Sequence, residues 1–235
     1  METLSSLIGS RKAIVFDLFH TLLSLEQSAP GWAPTHEILG VSREDWYEAL
    51  FRNTSGRLLG RIRDPEAIVA DVAHAIDPSI PPERIRAAAA QRAERFSVAL
   101  RNAPESTLQV LRSLKEQGKR LCLCSNADAL ESAAWSESPL APLFDAAVFS
   151  CNEGCLKPER EIYDLCLRRL GAAPAEAVYV GDGGSRELEG ARAAGLTTIM
   201  VLEHVRALWP EQIPDRRRHA DYVIERLGEL AAALG

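Results

Sequence analysis

Short apolar runs alternate along the chain with longer stretches in which apolar side chains recur every three or four positions. The runs Ala13 to Phe16, Arg120 to Cys124, Ala146 to Phe149, Ala177 to Val180 and Thr197 to Val201 lack polar alternation, the pattern of strands covered on both faces. Helical spacing separates the later ones. Pro104 to Gln117 places Leu108, Leu111 and Leu114 on one face and stops at Gly118, while Glu159 to Leu170 places Ile162, Tyr163 and Cys166 on one face and stops at Gly171. Strand and helix in alternation predict an α/β fold with a doubly wound parallel sheet, whose ligands gather at the carboxyl ends of the strands.

About a hundred residues separate the first predicted strand from the second, where a crossover needs only a dozen or so. The excess is helical. Ser42 with Asp45 forms a capping box ahead of Trp46, Leu50 and Phe51; Asp64-Pro65 opens a helix bearing Ile68, Val72 and Ile76; Pro82 opens another bearing Ile85, Ala89, Ala93 and Phe96. The expected organisation is a core of residues 1–23 and 101–235 with an inserted helical cap of residues 24–100. Leu22 to Gln27 and Arg101 to Pro104 would join the two.

Composition narrows the classes. A formal charge of -6 opposes binding to nucleic acid or to an anionic membrane surface. METLSSLIGSRKAIVFD lacks the signature of a signal peptide, and no stretch reads as a membrane span, so a cytoplasmic monomer or homodimer is expected. Five cysteines do not make a disulfide framework and read as small buried hydrophobes. A zinc site from Cys122, Cys124, Cys151 and Cys155 is the less favoured arrangement.

The strand ends carry the candidate chemistry. The first strand leads into Asp17-Leu18-Phe19-His20-Thr21-Leu22, presenting a carboxylate at the sheet edge, and the second ends in Ser125-Asn126, where a hydroxyl and a helix N-terminus suit a phosphate oxygen. Lys157-Pro158 precedes a helix and supplies fixed positive charge; the fourth strand runs into Gly181-Asp182-Gly183-Gly184-Ser185, with Glu187 beyond. A single Asp after a strand is ordinarily a turn residue or helix cap. Two acids, a lysine and a serine converging on one sheet edge are a candidate active site.

These four motifs, with Gly190 to Gly195 and the closing Ala220 to Ile224, resemble the haloacid dehalogenase superfamily, in the branch with a helical cap after the first motif. The resemblance implies a Rossmann-like core and a hydrolase in which Asp17 attacks the substrate while Ser125, Asn126 and Lys157 hold the transferring group. It implies Mg2+ bound by Asp17, Asp182 and the backbone carbonyl of Phe19, with Glu187 orienting its waters. The expected activity is hydrolysis of a small phosphorylated metabolite through an aspartyl-phosphate. Oxygen ligands suit magnesium, and a lysine between two anions lets them approach.

One position departs from that pattern. Family phosphatases carry a second aspartate two residues after the nucleophile, and here Phe19 stands there. Phenylalanine transfers no proton, a loss of about 10²- to 10⁴-fold in general acid/base catalysis. His20 is the candidate substitute acid. An aromatic residue at this place also resembles the family's 2-haloacid dehalogenases, in which Asp17 would displace a halide; Asp182 instead follows the phosphatase form. A third reading is a phosphate-ligand binding protein with impaired turnover. In the cap, Arg57, Arg61 and Arg63 are candidates to grip an anion, and Trp32, His36, Trp46 and Tyr47 to contact an organic body. Trp135 and Trp209 read as packing residues.

Overall fold

The computed structural model describes residues 2–52 and 54–234. Six parallel strands form one sheet: β1 (Ala13–Phe16), β2 (Arg120–Ser125), β3 (Ala146–Phe149), β4 (Ala177–Gly181), β5 (Thr197–Val201) and β6 (Tyr222–Ile224), in the order β3-β2-β1-β4-β5-β6. The sixth lies in the segment Ala220 to Ile224, too short and too half-exposed to stand out as an apolar run. The order reverses between β1 and β4, which opens a crevice above their carboxyl ends.

Both sheet faces are buried, as the unalternating strands require. Ile14 and Phe16 of β1, Leu121 and Leu123 of β2 and Val178 and Val180 of β4 enter one apolar cluster. Their neighbours Ala13, Val15, Cys122, Cys124, Ala177 and Tyr179 enter the other. Helix Glu105–Glu116 covers the first face with Leu108, Leu111 and Leu114, and Arg160–Leu170 covers the second with Ile162, Tyr163 and Cys166. Gly171, with φ +58°, ends the second helix in the left-handed conformation that glycine takes at least cost.

Between β1 and β2 the described residues are helical, with principal helices Arg43–Arg52, Pro65–Ile76 and Pro82–Arg101. Their starts follow the local chemistry: Asp45 N–H donates to Ser42 Oγ at 3.0 Å, and Ala67 N–H donates to Asp64 Oδ1 at 2.8 Å. Trp46, Leu50, Ile68, Val72, Ile85, Ala89 and Phe96 form a third apolar cluster, to which the sheet-bearing part of the chain contributes Leu130. Phe19 packs against this cluster and against the first sheet cluster, so its ring lies at their junction.

Charged contacts tie these helices to the rest. Arg57 is buried and donates to Asp128 Oδ2 at 3.1 Å and to the Leu50 carbonyl at 2.9 Å. Arg92 pairs with Glu131. Arg63 donates to the Cys151 carbonyl at 2.7 Å and to Asn152 Oδ1 at 2.8 Å. The expectation that Arg57 and Arg63 grip substrate gives way to this fastening role. No helix among the described residues is long and apolar enough to cross a membrane.

Candidate active site

Three neighbouring strands deliver the acidic and hydroxyl groups. Asp17 follows β1, Ser125 ends β2 and Asp182 follows β4, so all three face the crevice at the switch in strand order. Lys157 reaches the same place from the segment between Ser150–Glu153 and Arg160–Leu170; its peptide bond to Pro158 is cis, and the helix begins at Arg160 rather than at the proline. Asn126 spends its side chain on this segment: Nδ2 donates to the Lys157 carbonyl at 2.9 Å and Oδ1 accepts from the Lys157 N–H at 2.8 Å. The amide that the sequence offers to phosphate therefore positions the lysine. Nor does Ser125 cap the following helix. Asp128 does so, in a reciprocal capping box with Glu131.

Lys157 is the electrostatic centre. Its Nζ lies 2.6 Å from Asp17 Oδ1, 2.6 Å from Glu187 Oε2 and 3.1 Å from the Tyr179 hydroxyl. Burial opposes the ammonium charge, but Asp17 and Glu187 outweigh it and hold the lysine pKa well above its ordinary value. Burial, followed by the charge of Asp17, raises Glu187 to about 8. The Glu187 carboxylate also accepts from the Tyr179 hydroxyl at 2.7 Å and from the Gly183 N–H at 2.9 Å. It presses so closely on the end of β4 that a Cβ at Gly181 would stand 2.2 Å from Glu187 Oε1. Any side chain there would displace it.

Asp17, Asp182 and Glu187 each offer an oxygen, all within 4.8 Å of one another, and all three residues are buried. Hard oxygen donors crowded in this way are a set that a divalent cation fits. No sulfur joins them: the cysteines are free, and no cysteine-containing cluster suited to a metal occurs among the described residues. A fifth charged group, Arg216, has no signal in the sequence. Arg216 Nη1 lies 2.5 Å from Asp182 Oδ2 and 3.2 Å from the Asp182 carbonyl oxygen, with the guanidinium 5.1 Å from the centroid of the Trp209 ring. Trp209, read from sequence as a packing residue, packs against the second sheet cluster and also borders the cavity.

Phe19 presents its ring to the cavity, edge to face with Phe96 at 5.1 Å between centroids. His20 adopts φ +65°, a conformation that few residues other than glycine and asparagine take readily. Its ring stands edge to face on Trp209 at 4.7 Å, and its Nε2 lies 3.7 Å from Glu26 Oε2. The His20 ring is the chief cause that lowers Glu26 to about 2. Thr21 completes the first motif by donating to Asp17 Oδ2 at 3.0 Å. Of the cap candidates, Arg57, His36, Trp46 and Tyr47 border the cavity, whereas Trp32 packs beside the first sheet cluster.

This arrangement can hold a carboxylate beside a lysine, a hydroxyl and a group of acids, at the floor of a cavity of about 700 Å³. Comparison with known proteins agrees. A segment of 117 residues is 35% identical to mouse "Bifunctional epoxide hydrolase 2", covering 48% of this chain and 21% of that protein. Over 136 residues the chain is 29% identical to the "Glyceraldehyde 3-phosphate phosphatase" of Methanocaldococcus jannaschii, covering 57% of each. The chain thus spans about half or less of the length of these relatives. Among solved structures, the Bacillus subtilis HAD-hydrolase YfnB bound to magnesium superposes with a TM-score of 0.67 at 16% identity, covering 95% of this chain and 98% of that one. The L-2-haloacid dehalogenase of Xanthobacter autotrophicus superposes at 0.63 with 18% identity, covering 94% and 97%. Both likenesses concern the fold. The family model for haloacid dehalogenase-like hydrolases matches residues 11–195, and the chain belongs to that family of hydrolases.

Proposed function

We propose that this hydrolase is a magnesium-dependent phosphohydrolase that transfers a phosphoryl group from a small phosphorylated molecule to Asp17 and then to water. The observation that carries the reading is Asp182, brought together with Asp17 and Glu187 within 4.8 Å. Such a group of buried acids is costly to ionise without positive charge, which Lys157 and Arg216 supply and which a divalent cation would add to. The phosphatases among the relatives support the same reaction class.

Asp17 attacks from a position fixed by Lys157 on one oxygen and Thr21 on the other. Lys157 neutralises the approaching phosphoryl oxygens as well as Asp17, and Ser125 donates to one of those oxygens. Asn126 keeps Lys157 in register. Glu187, anchored by Tyr179 and Gly183, holds the lysine from behind. Magnesium, when bound by Asp17, Asp182 and the Phe19 carbonyl with Glu187 behind them, supplies charge neutralisation for the phosphoryl group. Residues 24–100 act as a cap that roofs this site, and a cytoplasmic location suits a small phosphorylated substrate.

The test is phosphate release from a panel of phosphomonoesters with and without magnesium, in wild type and in Asp182→Ala. Activity that is indifferent to both magnesium and Asp182 removes the proposal. A second reading is favoured by the Phe19 ring, which leaves the nucleophile without a carboxylic acid neighbour at that place: a dehalogenase-like displacement by Asp17. Halide release from a 2-haloacid without phosphate release would establish it.

A further inference from the structure

The cavity and the missing acid bear on the same question, the nature of the group that leaves. Beside its charged residues the cavity has an apolar, largely aromatic part, to which Phe19, Trp46, Leu50, Phe51, Phe96 and Trp209 contribute. Phe51 is 68% exposed and stacks on Tyr47 at 6.3 Å between centroids, at the rim of the opening. Exposed apolar surface of this kind beside a site is the signature of a ligand contact. A space of about 700 Å³ far exceeds what a bare phosphoryl group needs.

Arg57 and Arg92, which border this space, are already engaged, and Arg95 is held only loosely, its Nε having no hydrogen-bond partner. Arg57 is held by Asp128 at 3.1 Å, Arg92 by Glu131, and Arg95 lies 4.0 Å from Glu26. A second phosphate or a carboxylate on the substrate would have to displace a partner of Arg57 or Arg92, or compete with Glu26 for Arg95 and with Glu189 for Arg186. Arg92 presents its guanidinium to the Phe96 face at 4.7 Å, which further commits it to the wall.

Proton supply is the second, independent constraint. At position 19, where the family's acid stands, the side chain is a phenyl ring, and the adjacent His20 directs Nε2 at Glu26, on the Trp209 side. The leaving oxygen is therefore given no proton by residue 19, which favours a group that departs readily as an anion. A phenolate does so far more readily than an alkoxide, since a phenol ionises near a pKa of about 10 and an alkyl alcohol only at much higher values.

Resting on the phosphohydrolase reading above, we infer that the substrate is an aryl phosphate, a monoester of a ring-borne hydroxyl, with its ring against the contacting pair Phe19 and Phe96 and extending towards Phe51. A carboxylate oxygen of Asp17 bonds phosphorus while the P–O bond to the ring breaks, its electron pair leaving with the phenolate, which takes a proton from solvent. A water oxygen then bonds phosphorus, the P–O bond to Asp17 breaks with its pair returning to the carboxylate, and the water's protons leave with inorganic phosphate.

Four esters separate shape from leaving ability: phenyl phosphate, benzyl phosphate, cyclohexyl phosphate and methyl phosphate, each assayed with magnesium for kcat/KM and for competitive inhibition. Phenyl phosphate is expected to exceed benzyl and cyclohexyl phosphate in kcat/KM by about 10²-fold or more. Benzyl phosphate should nonetheless bind, inhibiting at concentrations close to the KM of phenyl phosphate, where methyl phosphate does not. Phe51→Ala, at an exposed position that leaves folding intact, should raise KM for phenyl phosphate by about 2- to 10-fold and that for methyl phosphate less. Comparable kcat/KM for phenyl and cyclohexyl phosphate, or equal inhibition by benzyl and methyl phosphate, overturns the aryl assignment alone. Phosphate release from none of the four, nor from 4-nitrophenyl phosphate, overturns the phosphohydrolase reading and the aryl assignment with it.

Discussion

Phe19 packs against two apolar clusters, and its ring stands edge to face with Phe96 at the cavity that Asp17 also borders. Phe19→Asp is expected to raise turnover, most for alkyl phosphates and little for activated aryl phosphates, whose leaving groups need no proton. Steady-state rates on both ester types check this, with circular dichroism to confirm folding; a folded, magnesium-binding variant that accelerates neither type removes the argument. If His20 is the substitute acid, His20→Asn lowers alkyl phosphate turnover and spares aryl turnover. Its partner Glu26 carries a separate prediction. With the folded pKa lowered from its ordinary 4.5 to about 2, Glu26 adds stability above pH 4.5 that is lost as pH falls from there towards 2. The wild-type melting temperature should therefore fall more steeply over that interval than that of Glu26→Gln, and identical slopes would remove His20 as the cause. At this scale the sequence was informative where a residue closes a strand, as Asp17, Ser125 and Asp182 do. It was silent on Arg216 and Tyr179, because no local pattern encodes a partner met only after the sheet assembles.

Among the elements, the helical insertion is joined to the sheet-bearing part by apolar packing through Leu130 and Phe19 and by buried polar pairs. Arg57→Ala would leave Asp128, with none of its surface exposed, without its cation, at a cost of about 3–5 kcal/mol for a broken buried pair. Urea denaturation checks this, and a change under about 1 kcal/mol would place the pair in the surface class instead. Gly60 makes the closest approach: it has φ +70°, and a Cβ there would lie 1.9 Å from the Cys151 carbonyl oxygen. Gly60→Ala should push the insertion away from that carbonyl and raise KM more than it lowers kcat, because Asp17 and Lys157 lie elsewhere. Helix starts at Arg43, Pro65 and Pro82 were readable from their caps and prolines, since that chemistry is local. The extent of β6 was not. A three-residue edge strand owes its pairing to β5, and little in its own side chains declares it.

In the whole molecule, the doubly wound order fixes where chemistry can occur, and the apolar runs of the sequence revealed that order's class before any contact was known. They could not reveal the cavity, whose walls come from segments far apart in the chain, Phe19 beside Phe96 and Trp209 beside His20. Nor could they reveal that Arg216, arriving from beyond β5, closes on Asp182 at 2.5 Å. That contact turns filling of the acidic group into a competition, because an ion approaching Asp182 meets a guanidinium already in residence. For such a rivalry, the concentration that half-fills the site is the intrinsic value divided by the fraction of molecules in which the arginine has let go. Under the magnesium reading proposed above, the chain would set its own threshold for divalent occupancy. In Arg216→Gln a magnesium titration followed by calorimetry should move to lower concentration than in the wild type, and coincident curves would show that ion and guanidinium do not exclude each other.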